Sequence, residues 1–231
     1  MDSPDHLRSA PAVAAFDLDG TLTDGGSVVS WLSVVAGPRA VRRALLAHAP
    51  SLVVGAVRSG TAADDAKEAL FSALLAGRAL QGVAEASSRF ADEHLRAHVR
   101  PEIVHRLGEH LAAGHAVVLV SASPSLYVDR VAHRLGAHGA VGTELEVDGA
   151  GALTGRYQGR NCRGEEKLRR VVELLALLGV AETGPHRPLY AYGNSRGDLR
   201  LLGAADRPVD VSRLGRLGAL RRFPRLGEVT L

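Results

Sequence analysis

The chain has one cysteine, Cys162, among 231 residues, so no internal disulfide can form and a fold stapled for secretion is excluded. It has no long hydrophobic run. The most apolar stretch, residues 44–57, is interrupted by His48 and Pro50 and falls short of the ~20 apolar residues that span a bilayer. The first segment carries Asp2, Asp5, His6 and Arg8 before any apolar run, so no signal-peptide core is expected there. Neither an internal repeat nor a low-complexity tract is present. Neither sign of charge dominates: 28 Lys+Arg against 25 Asp+Glu leave a formal charge of +3. The sequence pI near 9.4 modestly favours anionic partners such as phosphorylated metabolites, nucleic acid or acidic lipid. Aromatic residues make up 4% of the chain. In the basic tail, Arg213, Arg216, Arg221, Arg222 and Arg225 have only Phe223 among them, so nucleic acid is not the expected partner. The expectation is a cytoplasmic protein without a transmembrane segment.

What is present belongs to a folded protein: 46% hydrophobic and 23% charged residues. At roughly 150 residues per domain, the length suits one large domain or a domain with an insert. Ala12-Val13-Ala14-Ala15-Phe16 is a short apolar run ending abruptly in Asp17-Leu18-Asp19-Gly20-Thr21. Val117-Val118-Leu119-Val120 ends in the same way at Ser121-Ala122-Ser123-Pro124, and Leu189-Tyr190-Ala191-Tyr192 at Gly193-Asn194-Ser195-Arg196-Gly197-Asp198. Buried strands of a parallel sheet have this continuous apolar pattern, and ligands of such sheets bind at the strands' C-terminal ends. Residues 101–113 and 165–178 have helical spacing, which makes the alternation βαβ. The expected fold is α/β, a Rossmann-like parallel sheet with helices on both faces.

Residues 25–100 follow a different pattern, helix after helix, with helices expected over 27–36, 40–47, 62–75 and 83–98. Residues 1–24 and 101–231 are therefore read as the α/β core and 25–100 as an all-helical cap over the strand ends, hinged at Gly25-Gly26 and near Arg100-Pro101. Asp148-Gly149-Ala150-Gly151 is a turn signal between alternating segments, so residues 143–147 and 152–157 should pair as a β-hairpin.

Asp17 and Asp19 stand two apart at a strand end. One carboxylate of such a pair can attack an electrophile while the other exchanges protons with the leaving group and then with water. Gly20 and Thr21 add backbone N–H groups able to face an anion. A calcium loop of the EF-hand type fails on spacing, because Leu22 and Val28 stand where it needs Gly and Glu.

Asp17-Leu18-Asp19-Gly20-Thr21 resembles motif I of the haloacid dehalogenase-like (HAD) phosphatases. Ser121 resembles motif II, Lys167 motif III, and Gly193-Asn194-Ser195-Arg196-Gly197-Asp198 motif IV, all in family order. The helical insert, Ser121-Ala122-Ser123-Pro124 and Leu153-Thr154-Gly155 resemble the subfamily IB hydrolases, relatives of phosphoserine phosphatase. The resemblance implies a Mg²⁺-dependent phosphatase in which Asp17 forms an aspartyl-phosphate and Asp19 is the acid and base. It implies phosphate binding by Gly20, Ser121, Ala122 and Lys167. Mg²⁺ would be held by Asp17, the Asp19 carbonyl and the motif IV residues Asn194 and Asp198, the last orienting a metal-bound water.

Two departures stand out. Asn194 occupies the usual place of a metal-binding Asp, which removes a negative charge. Phosphoserine phosphatases have Ser where this chain has Gly20 and a substrate-binding Glu where it has Gly26, so phosphoserine is disfavoured, with nearby Asp24 as the substitute carboxylate. The expected substrate is a phosphate monoester of a small metabolite or a lipid-like alcohol. Phosphotransfer to an alcohol, or phosphate binding without turnover, are the alternatives.

Other residues have plainer readings. His94 and His98 are expected on a solvated helix face, His115 in a turn, and Cys162 as a small packed residue. The apolar segment 51–57 is expected to be a buried helix packed on its neighbours, with a lining for a lipid-like leaving group as the other reading.

Overall fold

The computed structural model describes residues 5–58, 61–180, 183–184, 186–213 and 218–231. Five parallel strands, β1 (Val13–Phe16), β2 (Ala116–Pro124), β3 (Gly139–Thr143), β6 (Leu189–Gly193) and β7 (Arg207–Asp210), form a sheet in the order β3-β2-β1-β6-β7. The helices α1 (Asp5–Arg8), α7 (Pro101–Ala112), α8 (Ser125–Leu135), α9 (Glu165–Leu177) and α10 (Leu199–Ala204) accompany it. The central strands read as unbroken apolar runs because both faces are covered. Ala14, Phe16, Val117, Leu119, Tyr190 and Tyr192 enter one hydrophobic cluster. Their alternates Val13, Ala15, Ala116, Val118, Leu189 and Ala191 enter the other.

Register positions the site. Phe16 pairs with Leu119 on one side and Tyr192 on the other, so Asp17, Ser121 and Asn194 come level at the C-terminal end of the sheet, Ser121 still within β2.

The segment between β1 and α7 holds five helices: α2 (Val28–Ala36), α3 (Pro38–Ala47), α4 (Ala49–Arg58), α5 (Thr61–Leu75) and α6 (Leu80–His98). Pro38 and Pro50 fall in the first turns of α3 and α4, where the missing N–H costs nothing, so Pro50 starts a helix where it appeared only to interrupt an apolar run. Trp31, Phe71 and Phe90 share one continuous cluster with Phe16 and Leu119 of the sheet. Tyr127 of α8 joins them, with ring centroids 5.5 Å from Trp31 and 5.2 Å from Phe90.

The expectation that segment 51–57 is buried needs correction at Val53 and Val54, which are 63% and 45% exposed on α4. Only one side of α4 packs: a Cβ on Gly55 would lie 2.9 Å from Ala63 Cα, so α4 approaches α5 there and turns the valines outward.

The hairpin is β4 (Leu145–Val147) with β5 (Leu153–Tyr157), antiparallel. Thr143, expected in its first strand, instead ends β3, where it pairs with Pro124. Gly155 at φ 79° lets β5 lie directly on α5, since a Cβ there would stand 2.4 Å from Ser72 Cα. The edge strands β3 and β7 carry two glycines and a proline respectively, which is why neither has an apolar strand signature.

Candidate active site

Asp17 follows β1 directly, with its backbone N–H bonded to Tyr192 O at 3.0 Å. The chain then turns back tightly, Thr21 and Thr23 both donating to Leu18 O. Gly20 sits at φ 77°, where a side chain is strained, and a Cβ there would stand 2.1 Å from the Asn194 amide, which would have to shift. Arg100, 6% exposed, fixes the turn by donating to Gly20 O at 2.7 Å and Val211 O at 2.9 Å.

The Asp17 carboxylate is buried and accepts from Thr21 Oγ1 at 2.9 Å and Lys167 Nζ at 2.7 Å. Lys167, on the first turn of α9, also donates to Asp198 Oδ1 at 2.5 Å. The other Asp198 oxygen accepts from Asn194 N, Ser195 N and Ser195 Oγ, so Asp198 ties Lys167 to the turn after β6. Burial raises the Asp17 pKa, Asp198 raises it further, and Lys167 pulls it back. For Lys167, burial acts downward, but Asp17 and Asp198 outweigh it and hold the ammonium above the ordinary lysine range.

Two oxygen-bearing groups converge beside Asp17. A terminal atom of the Asn194 amide lies 3.1 Å from the Asp19 carbonyl oxygen and 3.3 Å from Asp17 Oδ2. With its nitrogen there, the amide donates to both; turned over, its oxygen joins them as a cluster of three hard donors. Among the described residues no group of three or more His, Cys, Asp or Glu gathers for a metal, so a cation here would depend on a carbonyl and an amide as well as a carboxylate. The donor type, hard oxygens from a carboxylate, a carbonyl and an amide, fits Mg²⁺. Asp17, Asp19 and Asn194 are brought together, whereas Asp198 spends both oxygens on Lys167 and the loop.

The Asp19 carboxylate points the other way, accepting from Ser27 N at 2.7 Å and from Ser123 Oγ. Ser27 Oγ bonds Tyr127 OH at 2.7 Å. Ser121 Oγ accepts from Ser123 N at 3.0 Å, and Ala122 O accepts from Lys67 Nζ at 2.5 Å and Thr143 Oγ1 at 2.6 Å. Lys67 also reaches Asn161 Oδ1 at 3.1 Å, and Asn161 bonds Asp64 of the same helix at 2.5 Å. Burial lowers the Lys67 pKa to about 8, against the pull of Asp19 and Asp64. A cleft of about 690 Å³ opens nearby between α5 and the loops around Arg163 and Gly197; Asp17 and Asp19 do not border it.

Sequence reasoning missed Ser27, Lys67, Ser123, Tyr127 and Asn161. One signal was available: the chain has only two lysines, Lys67 and Lys167, among its 28 basic residues, and both act on the motif I carboxylates.

His98 is exposed as expected, but His94 is 6% exposed, so the solvated-face reading is corrected for it; the inward stripe of α6 runs Val83, Ala86, Ser87, Phe90, Ala91, His94. His115 lies in the turn before β2 and is also buried, its Nδ1 2.8 Å from His110 Nδ1. Cys162 is fully buried, and burial pushes its thiol up to about 11, which suits packing and not reactivity.

Residues 14–203 match the family described as haloacid dehalogenase-like hydrolase. Protein CicA of Caulobacter vibrioides is 32% identical over 202 residues, covering 87% of this chain and 86% of its own. A histidinol-phosphatase of Neisseria meningitidis serogroup C is 28% identical over 200 residues, covering 87% and 90%. The structure of a phospho-aspartyl intermediate analogue of phosphoserine phosphatase shares the fold with a TM-score of 0.59 and 18% identity, covering 87% of this chain and 86% of that one. The chain belongs to the haloacid dehalogenase-like hydrolases.

Proposed function

We propose that this hydrolase cleaves the phosphate monoester of a small metabolite or lipid-like alcohol through an aspartyl-phosphate on Asp17, with Mg²⁺ as cofactor. The observation that carries the reading is the buried Asp17 carboxylate at the strand edge, oriented by Thr21 and Lys167 beside the Asp19 carbonyl and the Asn194 amide. An Asp17 oxygen forms the new bond to phosphorus while the bond from phosphorus to the leaving oxygen breaks. Asp19 gives its proton to that oxygen, then takes one from the water that attacks phosphorus and releases Asp17.

Mg²⁺, held by Asp17, the Asp19 carbonyl and Asn194, would neutralise phosphoryl charge during both displacements. Lys167 contributes a fixed positive charge that Asp198 keeps in place. Ser121, with the Gly20 and Ala122 backbone, supplies hydrogen bonds to the phosphoryl oxygens. Ser27 N–H and Ser123 Oγ hold the Asp19 side chain in one orientation.

In this reading residues 25–100 act as the cap on a core of 1–24 and 101–231, excluding water and selecting the alcohol. The end of α6 returns to the motif I loop, Asp24 N bonding His98 O and Arg100 N bonding Leu22 O, each at 2.8 Å. No helix among the described residues is long and apolar enough to cross a membrane, and with the lone buried Cys162 this supports a cytoplasmic location.

The test is phosphate release from amino-alcohol, sugar, nucleotide and lipid phosphates, with Mg²⁺ or with chelator. Metal-dependent release supports the reading. A new ester formed with an added alcohol would make the enzyme a phosphotransferase, and binding of phosphate without turnover would make it a regulatory binder.

A further inference from the structure

His94 Nε2 is the one buried side-chain nitrogen or oxygen without a hydrogen-bond partner among the described residues. Buried polar groups are nearly always paired, so an unpaired one asks for a ligand. Its place in the fold says which ligand. The strand-like bridge between Thr23 and Val99, with the bonds from Asp24 to His98 and from Arg100 to Leu22, lands the end of α6 on the loop that carries Asp19. His94 lies about one turn before that end and stacks on Phe90 with ring centroids 5.1 Å apart. Phe90 in turn packs edge-on to Tyr127, whose hydroxyl bonds Ser27, the residue whose N–H holds Asp19. Burial and His98 lower the His94 pKa from the ordinary histidine value, against the pull of the Asp19 charge.

We propose that His94 Nε2 hydrogen-bonds a hydroxyl of the leaving alcohol close to the ester oxygen, so that the enzyme selects polyol-type phosphate monoesters over plain alkyl ones. The inference rests on the phosphatase reading of the site. A neutral imidazole both donates and accepts in its two tautomers, as a hydroxyl does.

The test uses the full chain with Mg²⁺ and two esters differing by one hydroxyl, propane-1,2-diol 1-phosphate and n-propyl phosphate. Binding of the same pair is followed by calorimetry in the Asp17→Asn protein, with and without His94→Leu. The expected kcat/KM ratio is about tenfold in favour of the diol ester, the scale of one hydrogen bond to a buried partner. It falls to within about twofold in His94→Leu and is partly restored in His94→Gln. His94→Leu should keep or raise Tm, because it removes an unpaired buried nitrogen. His94→Phe, which extends the Phe90 stack, is the second apolar variant with the same expectation.

A ratio near one in wild type, in both turnover and binding, overturns the proposal. So does a lowered Tm with the ratio unchanged, which makes His94 a packing residue. Absence of turnover on every ester, with a binding preference that His94→Leu abolishes, overturns the phosphatase reading and leaves the hydroxyl subsite standing.

Discussion

The loops at the strand ends and the helices of the insert meet at one site, yet they treat their polar groups differently. In the loops the buried charges are answered: Asp17 and Asp198 share Lys167, and the second Asp198 oxygen is filled by the Ser195 hydroxyl and two backbone N–H groups. From the insert, Lys67 reaches only the neutral oxygens of Ala122 and Asn161, and His94 Nε2 reaches nothing. Under the proposed function, groups that act the same way on every substrate are held by the protein's own partners, and groups that would discriminate between substrates keep bonding capacity in reserve, at some cost to the free fold.

The largest effect should come from breaking the loop side at its centre. Asp17→Asn is expected to lower phosphate release by ~10³-fold or more while circular dichroism stays unchanged, since the proposed nucleophile is lost and the shape kept. Lys167→Met comes next and strikes both stability and rate. It leaves two buried carboxylates facing each other, so thermal unfolding should show a loss of about 3 kcal/mol, with kcat down ~100-fold.

Asn194→Asp sharpens the comparison by adding charge to the loop side alone. The Mg²⁺ concentration for half-maximal phosphate release should fall roughly tenfold, because affinity at oxygen sites follows ligand charge. An unchanged or higher value would remove Asn194 from the metal's donors.

The smallest effect tests the insert. Lys67 has its pKa lowered to about 8 from the ordinary 10.5, so burial of the ammonium destabilises the folded state fully below about 8, and that cost fades as pH rises toward 10.5. Lys67→Met should therefore gain most in Tm over wild type at pH 7 and least at pH 10. A gain independent of pH would show that Lys67 titrates normally.

Fold and site were unequally legible. The strands β1, β2 and β6 announced themselves because burial on both faces demands uninterrupted apolar residues, and the residues after them announced themselves as sudden polarity. β3 and β7 lie at the sheet's edges, where glycine and Pro208 are tolerated and the apolar demand is relaxed. The helices of the insert were readable from spacing, but which side of each faces inward was not. Val53 and Val54 are as apolar as any core residue and lie outside, while His94 is polar and lies inside. Local pattern ranks residues by average preference, and a packed interface with a second element overrides the average.

By itself the sequence marked the strand ends as the candidate site: two aspartates two residues apart, the serine of motif II, the lysine of motif III and the glycine after Asp19, each legible within a few residues of chain. Only the tertiary structure decided which distant groups complete them. Ser27 reaches Tyr127 100 positions away, Lys67 reaches Asn161 across 94, and Lys167 reaches Asp17 across 150. Such pairings depend on register and on where α5 and α6 land, and those are set by the summed burial of the whole core, which no short stretch of sequence contains.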